Sequence, residues 1–295
     1  MATCIIRSRG LAAALLAAVL AAAVPSAPAA TAPAGGAVTT IDDQVLRDRI
    51  LQTLTKMNDA HELKSVKELR RQLDRKRYPL RLPKPPDRKL DAAELYEQAQ
   101  SRVLIFCHLY HCTHCSHWHV STSTCYALTA DGIVVANYHA FGMEEAAGVA
   151  VATAEGRVFP VTEVLAADAG DDVAVMRVAA TDLQPLALSV DEPVGRPVSV
   201  VSHPSGLFFV MTQGHVSRYY LAAEEGGKFA RMAITADYAK GSSGGPVFNA
   251  CGAVVGMVAS TRSIYYDDEH GKHDNLQMVI KSCVPARSIR KLLAP

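Results

Sequence analysis

What most constrains this chain is its texture after residue 100. Short apolar runs rich in β-branched residues alternate with turn-forming pairs such as Asp131-Gly132, Ser205-Gly206 and Gly244-Gly245. Runs at 103–106, 133–136, 149–152, 173–178, 198–201, 208–212 and 253–258 are too short for ordinary helices and suit strands. So many short strands predict an all-β fold, either a barrel or a sandwich. The chain has 295 residues, enough for one large or two small domains with a proper core.

The start of the chain reads differently. Arg7 and Arg9 precede an unbroken apolar run at 11–24, and small residues follow to Ala30. That order predicts a secretory signal peptide over 1–30, with an uncleaved anchor as the alternative. Export, secreted or periplasmic, would place Cys107, Cys112, Cys115, Cys125, Cys251 and Cys283 where disulfides form. Cys125, Cys251 and Cys283 are dispersed and read equally well as small buried residues.

The net charge of +1 excludes a chain-wide basic coat, so no specific nucleic-acid partner is expected. It conceals two opposite regions. Residues 41–90 hold 14 Lys/Arg against 8 Asp/Glu, whereas 91–295 hold 14 against 21. Apolar residues at Ile41, Val45, Leu46, Ile50, Leu54 and Met57, then at Leu63, Val66, Leu69 and Leu73, predict two helices. Asn58 and Asp59 are candidate caps for the second. The basic face (Lys64, Lys67, Arg70, Arg71, Arg75, Lys76, Arg77) suits a solvated surface, an anionic partner, or docking onto the acidic remainder. Pro83, Pro85 and Pro86 make a stiff break, and Asp91 with Glu94 forms a capping-box signature for a short helix to about Ala99. The expected division is leader 1–30, an Ala/Pro-rich start with basic helices and linker over 31–90, and a main domain over 91–295.

Gly241-Ser242-Ser243-Gly244-Gly245-Pro246 is the segment richest in chemical meaning. Glycines around a serine let the backbone turn sharply and bring amide N–H groups to a substrate carbonyl, as a nucleophile beside an oxyanion hole requires. A base and an orienting acid are available upstream. His139 follows the apolar run at 133–136, and Asp171-Asp172 precedes the run at 173–178. The order His, Asp, Ser is one of the known triad orders.

On these residues the chain resembles the trypsin-like serine proteases of the HtrA/Deg type. Ala130-Asp131-Gly132 leading to Asn137-Tyr138-His139 is similar to their Asn-x-His segment, and Asp172-Val173-Ala174-Val175 to their Asp-(Leu/Ile)-Ala-Val. His203-Pro204-Ser205-Gly206-Leu207 with Gly214-His215-Val216-Ser217 resembles Asn-Pro-x-Gly-Leu with Gly-x-Val-Ser, and 241–246 resembles Gly-Asn-Ser-Gly-Gly-Pro. The likeness covers about 118–290. It implies two six-stranded antiparallel β-barrels of chymotrypsin type, with an N-terminal helical extension and a short C-terminal helix at 286–293. It implies Ser243 as nucleophile, His139 as general base and acid, and Asp172 as the group orienting the imidazole. The backbone N–H groups of Gly241 and Ser243 would form the oxyanion hole. Asp171 and Ser242 are the neighbours that could hold two of these roles instead.

The likeness has departures. His203 and Ser242 stand where Asn is usual, and the loop before Gly241 is about two residues short. Asp237 and Lys240 on that loop are candidate substrate-pocket residues; Asp237 matches either a basic-residue-selecting aspartate or the family's structural one. The chain ends soon after 286–293, leaving no length for a PDZ domain.

One cluster falls outside this resemblance. Residues 107–119 pack eight potential metal ligands into thirteen positions. Cys112 and Cys115 have zinc-knuckle spacing, and His117 or His119 could complete the set. A Cys112–Cys115 disulfide or a pairing with Cys107 is the competing expectation. Tyr265 to His270 reads as an exposed acidic loop. The expected function is an exported serine endopeptidase acting on proteins or peptides, in protein quality control, with no cofactor needed for catalysis. The alternative is a catalytically silent binding or metal-responsive module on the same fold.

Overall fold

The computed structural model describes residues 40–269 and 272–294; the leader expected over 1–30 and the Ala/Pro-rich start lie outside the described residues, as does His270. From Ile41 onward the chain forms one compact unit. Three helices lead in: α1 (Asp43–Asp59), α2 (Val66–Arg70) and α3 (Ala92–Gln100). Six strands follow: β1 (Val103–His111), β2 (Trp118–Ala127), β3 (Ile133–Ala136), β4 (Gly148–Ala152), β5 (Val158–Asp168) and β6 (Val173–Val178). Six more are β7 (Pro197–Ser202), β8 (Val210–Glu224), β9 (Gly227–Ile234), β10 (Pro246–Phe248), β11 (Val254–Glu269) and β12 (Lys272–Pro285), before α4 (Ala286–Leu293).

The strands close into two antiparallel barrels, in the orders β1-β2-β3-β6-β5-β4 and β10-β11-β12-β9-β8-β7. The expected two-barrel architecture is therefore present. All four residues of β3 are buried, because both of its faces are covered. Val134 and Ala136 join Leu104, Phe106, Val149 and Met176 in one cluster. Ile133 and Val135, on the opposite face, join a layer that also holds Leu46, Ile50 and Leu54 of α1 and Val254 and Met257 of β11. Period-2 alternation thus puts one sequence run into two cores, which is why it reads as continuously apolar. Gly132 makes the turn before β3 with φ +93°. A Cβ there would sit 2.4 Å from the Val178 carbonyl oxygen, so only glycine fits without shifting backbone.

The lead-in is part of this unit rather than a solvated appendage. Leu46, Ile50 and Leu54 of α1, spaced four apart, are buried. Arg47 donates to Gly206 O at 3.0 Å and Asp43 accepts from the Phe208 N–H at 2.8 Å. On the basic face, Arg70 donates to Phe141 O and pairs with Glu144, and Arg75 donates to Val164 O and pairs with Glu163. Docking onto the acidic remainder is thus realised for these two arginines. Beyond them, Tyr78 and Leu80 donate backbone N–H groups to Leu292 and Leu293 of α4, and Leu90 donates to Ala250.

Three local expectations are corrected. The second helix is capped by Ser65, not Asn58 or Asp59. Ser65 and Glu68 form a reciprocal capping box, and α2 lasts only five residues before it tightens into turns. The segment from Tyr265 to Glu269 is not a loop but the end of β11, paired with β12 in a long hairpin. Its acidic residues hid the strand, since Asp and Glu are poor strand formers, although Ile264, Tyr265 and Tyr266 lead into them. Finally, Cys107, Cys112, Cys115, Cys125, Cys251 and Cys283 are all free thiols. Cys107, Cys125 and Cys283 pack as small apolar groups in the barrels, too deep to meet the others.

Candidate active site

The candidate base comes from the turn after β3. Asn137 leaves the strand in extended conformation, and a 3-10 turn over Tyr138–Gly142 lifts His139 out to a half-exposed position. Across from it, Asp172 enters β6 with φ +59°, a left-handed conformation that costs a non-glycine residue on the order of 1 kcal/mol. That strain aims the carboxylate at the turn. Asp172 accepts from the His139 backbone N–H at 3.0 Å, from Nδ1 at 2.9 and 3.1 Å, and from Asn137 Nδ2 at 3.0 Å. With Nδ1 donating, Nε2 is left as the acceptor. Burial alone would lower the His139 pKa, but the Asp172 hydrogen bond and charge outweigh it and hold the imidazole above its ordinary value.

The neighbouring aspartate has another role. Asp171 is buried facing α4, accepting from Ser288 Oγ at 2.9 Å with Lys291 Nζ at 3.4 Å.

The serine comes from the turn between β9 and β10. Gly241 and Gly244 adopt φ +94° and +86°, and a Cβ on Gly241 would lie 2.5 Å from His203 O. Between them Ser242 is fully buried, held by Ser202 Oγ at 2.9 Å, whereas Ser243 is partly exposed. Ser243 Oγ donates to Ala259 O at 3.1 Å, not to His139. Among the described residues neither the Gly241 nor the Ser243 backbone N–H donates to a protein acceptor, although the flanking amides of Ser242, Gly244 and Gly245 all do. A cleft of about 560 Å³ opens beside His139 and Asp172, lined also by Glu224, Ala259 and Ser260. It meets a second cleft of about 480 Å³ over Arg218, Tyr220 and Arg262 at the shared residues Glu224 and Ser260.

Three further residues hold this arrangement, and one of them, Thr124, had no signal strong enough to single it out. Thr124 of β2 donates Oγ1 to Gly241 O at 3.0 Å, accepts from the His203 N–H at 3.1 Å, and donates its own N–H to Ser243 O at 2.9 Å. Nothing around residue 124 distinguishes this threonine. Asn137, by contrast, stood in the Asn-x-His segment and orients Asp172. His203 is fully buried between Phe208 and Phe209; its Nε2–H donates to Leu104 O and its Nδ1 accepts from the Phe209 N–H. Burial pushes its pKa down to about 3, keeping it neutral.

The candidate pocket residues do not converge on a buried charge. Asp237 is 85% exposed and pairs with Lys281 at 3.2 Å. Lys240 is exposed, and its carbonyl accepts from the Ser205 N–H. Of the candidate metal ligands, Cys112, Cys115 and His119 come together, with ligand atoms within 4.8 Å of one another, while His117 is exposed and outside that group.

Residues 123–257 match the trypsin-like peptidase domain family. A "probable periplasmic serine endoprotease DegP-like" of Halomonas elongata is 31% identical over 134 residues, which is 45% of this chain and 28% of that protein. The chain thus matches little more than a quarter of that relative's length. Among solved structures, the active form of the Rv3671c protease from M. tuberculosis superimposes with a TM-score of 0.55 at 22% identity, covering 74% of this chain and 90% of that one. The HtrA-type protease AlgW with a decapeptide gives 0.56 at 16% identity, covering 70% and 69%. At these identities the two structures speak for the fold alone. The His139–Asp172 pair and most strands of the two closed barrels lie within the matched stretch 123–257, and the chain is similar to trypsin-like peptidase domains there.

Proposed function

We propose that the chain is an exported serine endopeptidase that cleaves peptide bonds through an acyl-enzyme on Ser243. The observation that carries this reading is the pair of uncommitted N–H groups on Gly241 and Ser243, with the Ser243 hydroxyl bonded to Ala259, a residue that lines the same cleft as the Asp172-oriented His139. In the reaction, Ser243 Oγ turns from Ala259 O toward His139 Nε2 and gives up its proton there as it attacks the substrate carbonyl. The tetrahedral oxyanion is met by the two backbone N–H groups. His139 then protonates the leaving amine, and Asp172 stabilises the imidazolium throughout. Water repeats the sequence to release the acyl group. None of these steps needs a metal, and a thiophilic ion at Cys112, Cys115 and His119 would be structural.

The leader-like sequence over 1–30 and the periplasmic description of the Halomonas protein support export, and protein quality control is the setting that best suits such an enzyme. Substrates would be proteins or peptides lying along the joined clefts. The Ser243–Ala259 bond favours one rival, a silent module in which the serine never turns. A serine-reactive phosphonate probe separates the two. It should label wild type and Ser242→Ala but not Ser243→Ala; absence of labelling in folded wild type, or equal labelling of both variants, overturns the assignment.

A further inference from the structure

The cluster between β1 and β2 is not used by the proposed chemistry. The chain turns there through Cys112 to His117, closed by the Cys112 N–H donating to His117 O at 2.9 Å. Residues 107–119 contain no Asp, Glu, Lys or Arg, so no neighbouring side chain in the segment balances a thiolate. Four of the eight potential ligands have other occupations. Cys107 and His108 are buried on the barrel side. His111 packs edge-on against Trp118, and His114 contacts Thr113 Oγ1.

The remaining geometry is directed. The turn is drawn tight by the Ser116 N–H donating to Cys112 O at 3.2 Å, and it gathers Cys112 and Cys115 with His119. Cys115 Sγ lies 3.0 Å from His119 Nε2. His119 is held in place by its cross-strand partner Tyr110, the rings stacked at 5.7 Å. A tetrahedral zinc site has ligand–ligand edges of about 3.6 Å, given metal–ligand bonds near 2.0–2.3 Å. A disulfide would use the two sulfurs and leave the placement of His119 without purpose.

From this we infer a metal site in which Cys112 Sγ, Cys115 Sγ and His119 Nε2 bind one thiophilic divalent cation, zinc foremost, with the fourth position open to water or an external donor. Two thiolates and a neutral imidazole bring Zn²⁺ to zero net charge, and soft sulfur donors disfavour Mg²⁺ and Ca²⁺. The ion clips the hairpin tip to the start of β2. Thr124, which holds Gly241 and Ser243, is five residues along that strand, about 16 Å away at strand spacing. The metal is therefore a brace on the strand that supports the serine turn, remote from the reacting atoms.

The test uses the full chain carrying Ser243→Ala, reduced and freed of metal, so that its outcome does not depend on peptidase activity. Titration with Zn²⁺ against a chromophoric chelator should give one equivalent, and Co²⁺ should show thiolate charge-transfer and tetrahedral ligand-field bands. Cys115→Ser and His119→Gln should each weaken zinc by more than about tenfold, while His117→Ala leaves it unchanged; near-UV circular dichroism shows that each variant is folded. Absence of the cobalt bands with both thiols titratable overturns the site. So does a His117→Ala loss equal to that of His119→Gln, which would mean a different ligand set.

Discussion

At the residue scale, the candidate site depends on side chains that never touch substrate. Thr124 ties together Gly241, Ser243 and His203. Thr124→Val removes the Oγ1 contacts and leaves the His203 N–H buried and unpaired, a loss of about 2 kcal/mol in stability. Activity should fall about tenfold in kcat as the turn loses its alignment, with Thr124→Ser near wild type; kinetics and urea unfolding on the three proteins check this. His139 gives a pH prediction with two opposite signs. Its folded pKa is raised by Asp172 against the pull of burial. Activity needs the neutral ring, so kcat/KM should rise with pH through a value above the ordinary 6.5 of histidine. The stabilisation from the protonated pair is fully present below the unfolded value and is lost as pH rises through the folded one. A pH–rate profile with its midpoint at or below the ordinary value would contradict the Asp172 pairing. Sequence made His139 and Asp172 legible because each borders an apolar run. Thr124 was hidden because its importance is a matter of which loops of the second barrel lie against it.

At the scale of elements, cap chemistry decided where the lead-in helices begin and end. The capping box at α2 has Ser65 Oγ accepting from the Glu68 N–H at 3.2 Å, while Glu68 Oε2 accepts from the Ser65 N–H at 2.8 Å. Val66 and Leu69 of this five-residue helix are buried among the residues of the first barrel. Removing the cap should therefore lower global stability, not merely fray a terminus. Ser65→Ala should cost about 1 kcal/mol, read as a lower urea midpoint with unchanged slope; a biphasic unfolding curve would show instead that the lead-in melts separately. The Ser-x-x-Glu signature was present in the sequence, but Asn58 and Asp59 sit nearer the first apolar stripe and drew the boundary to themselves. The β11–β12 hairpin was misread for a related reason. The strand's end carries the acidic run Asp267-Asp268-Glu269, which masks the β-forming Ile264, Tyr265 and Tyr266 before it, while the backbone pairing continues to Glu269–Lys272.

At the scale of the whole molecule, both barrels depend on neutral histidines. His203, from the second barrel, donates to Leu104 O of the first, and His108 is buried beside Phe106. Burial pushes their pKa values down to about 3 and about 4. The unfolded chain binds protons near the ordinary value while the folded chain does not, so stability is full above that value and falls with pH below it. Each histidine should contribute a loss of about 1.4 kcal/mol per pH unit in that window. Urea midpoints from pH 7.5 to 5 (roughly the range over which free histidine titrates) should drop steeply in wild type and less steeply in His203→Gln. An unchanged slope would remove His203 from the account.

The fold class, the turn before β3, the His139, Asp172 and Ser243 candidates and the Cys/His cluster were all set locally. Alternation, glycine placement and ligand spacing are properties of neighbouring residues, and sequence order preserves them. The burial of Ser242 was not local, because its partner Ser202 comes from β7, forty residues away. Nor was the fate of the basic lead-in, whose arginines find carbonyls and carboxylates only once the barrels exist to present them. Nor was the selection of His119 over His117, which required β1 to bring Tyr110 alongside. Long-range contacts have no signature in a single chain's periodicity, and these three outcomes were decided by the tertiary structure alone.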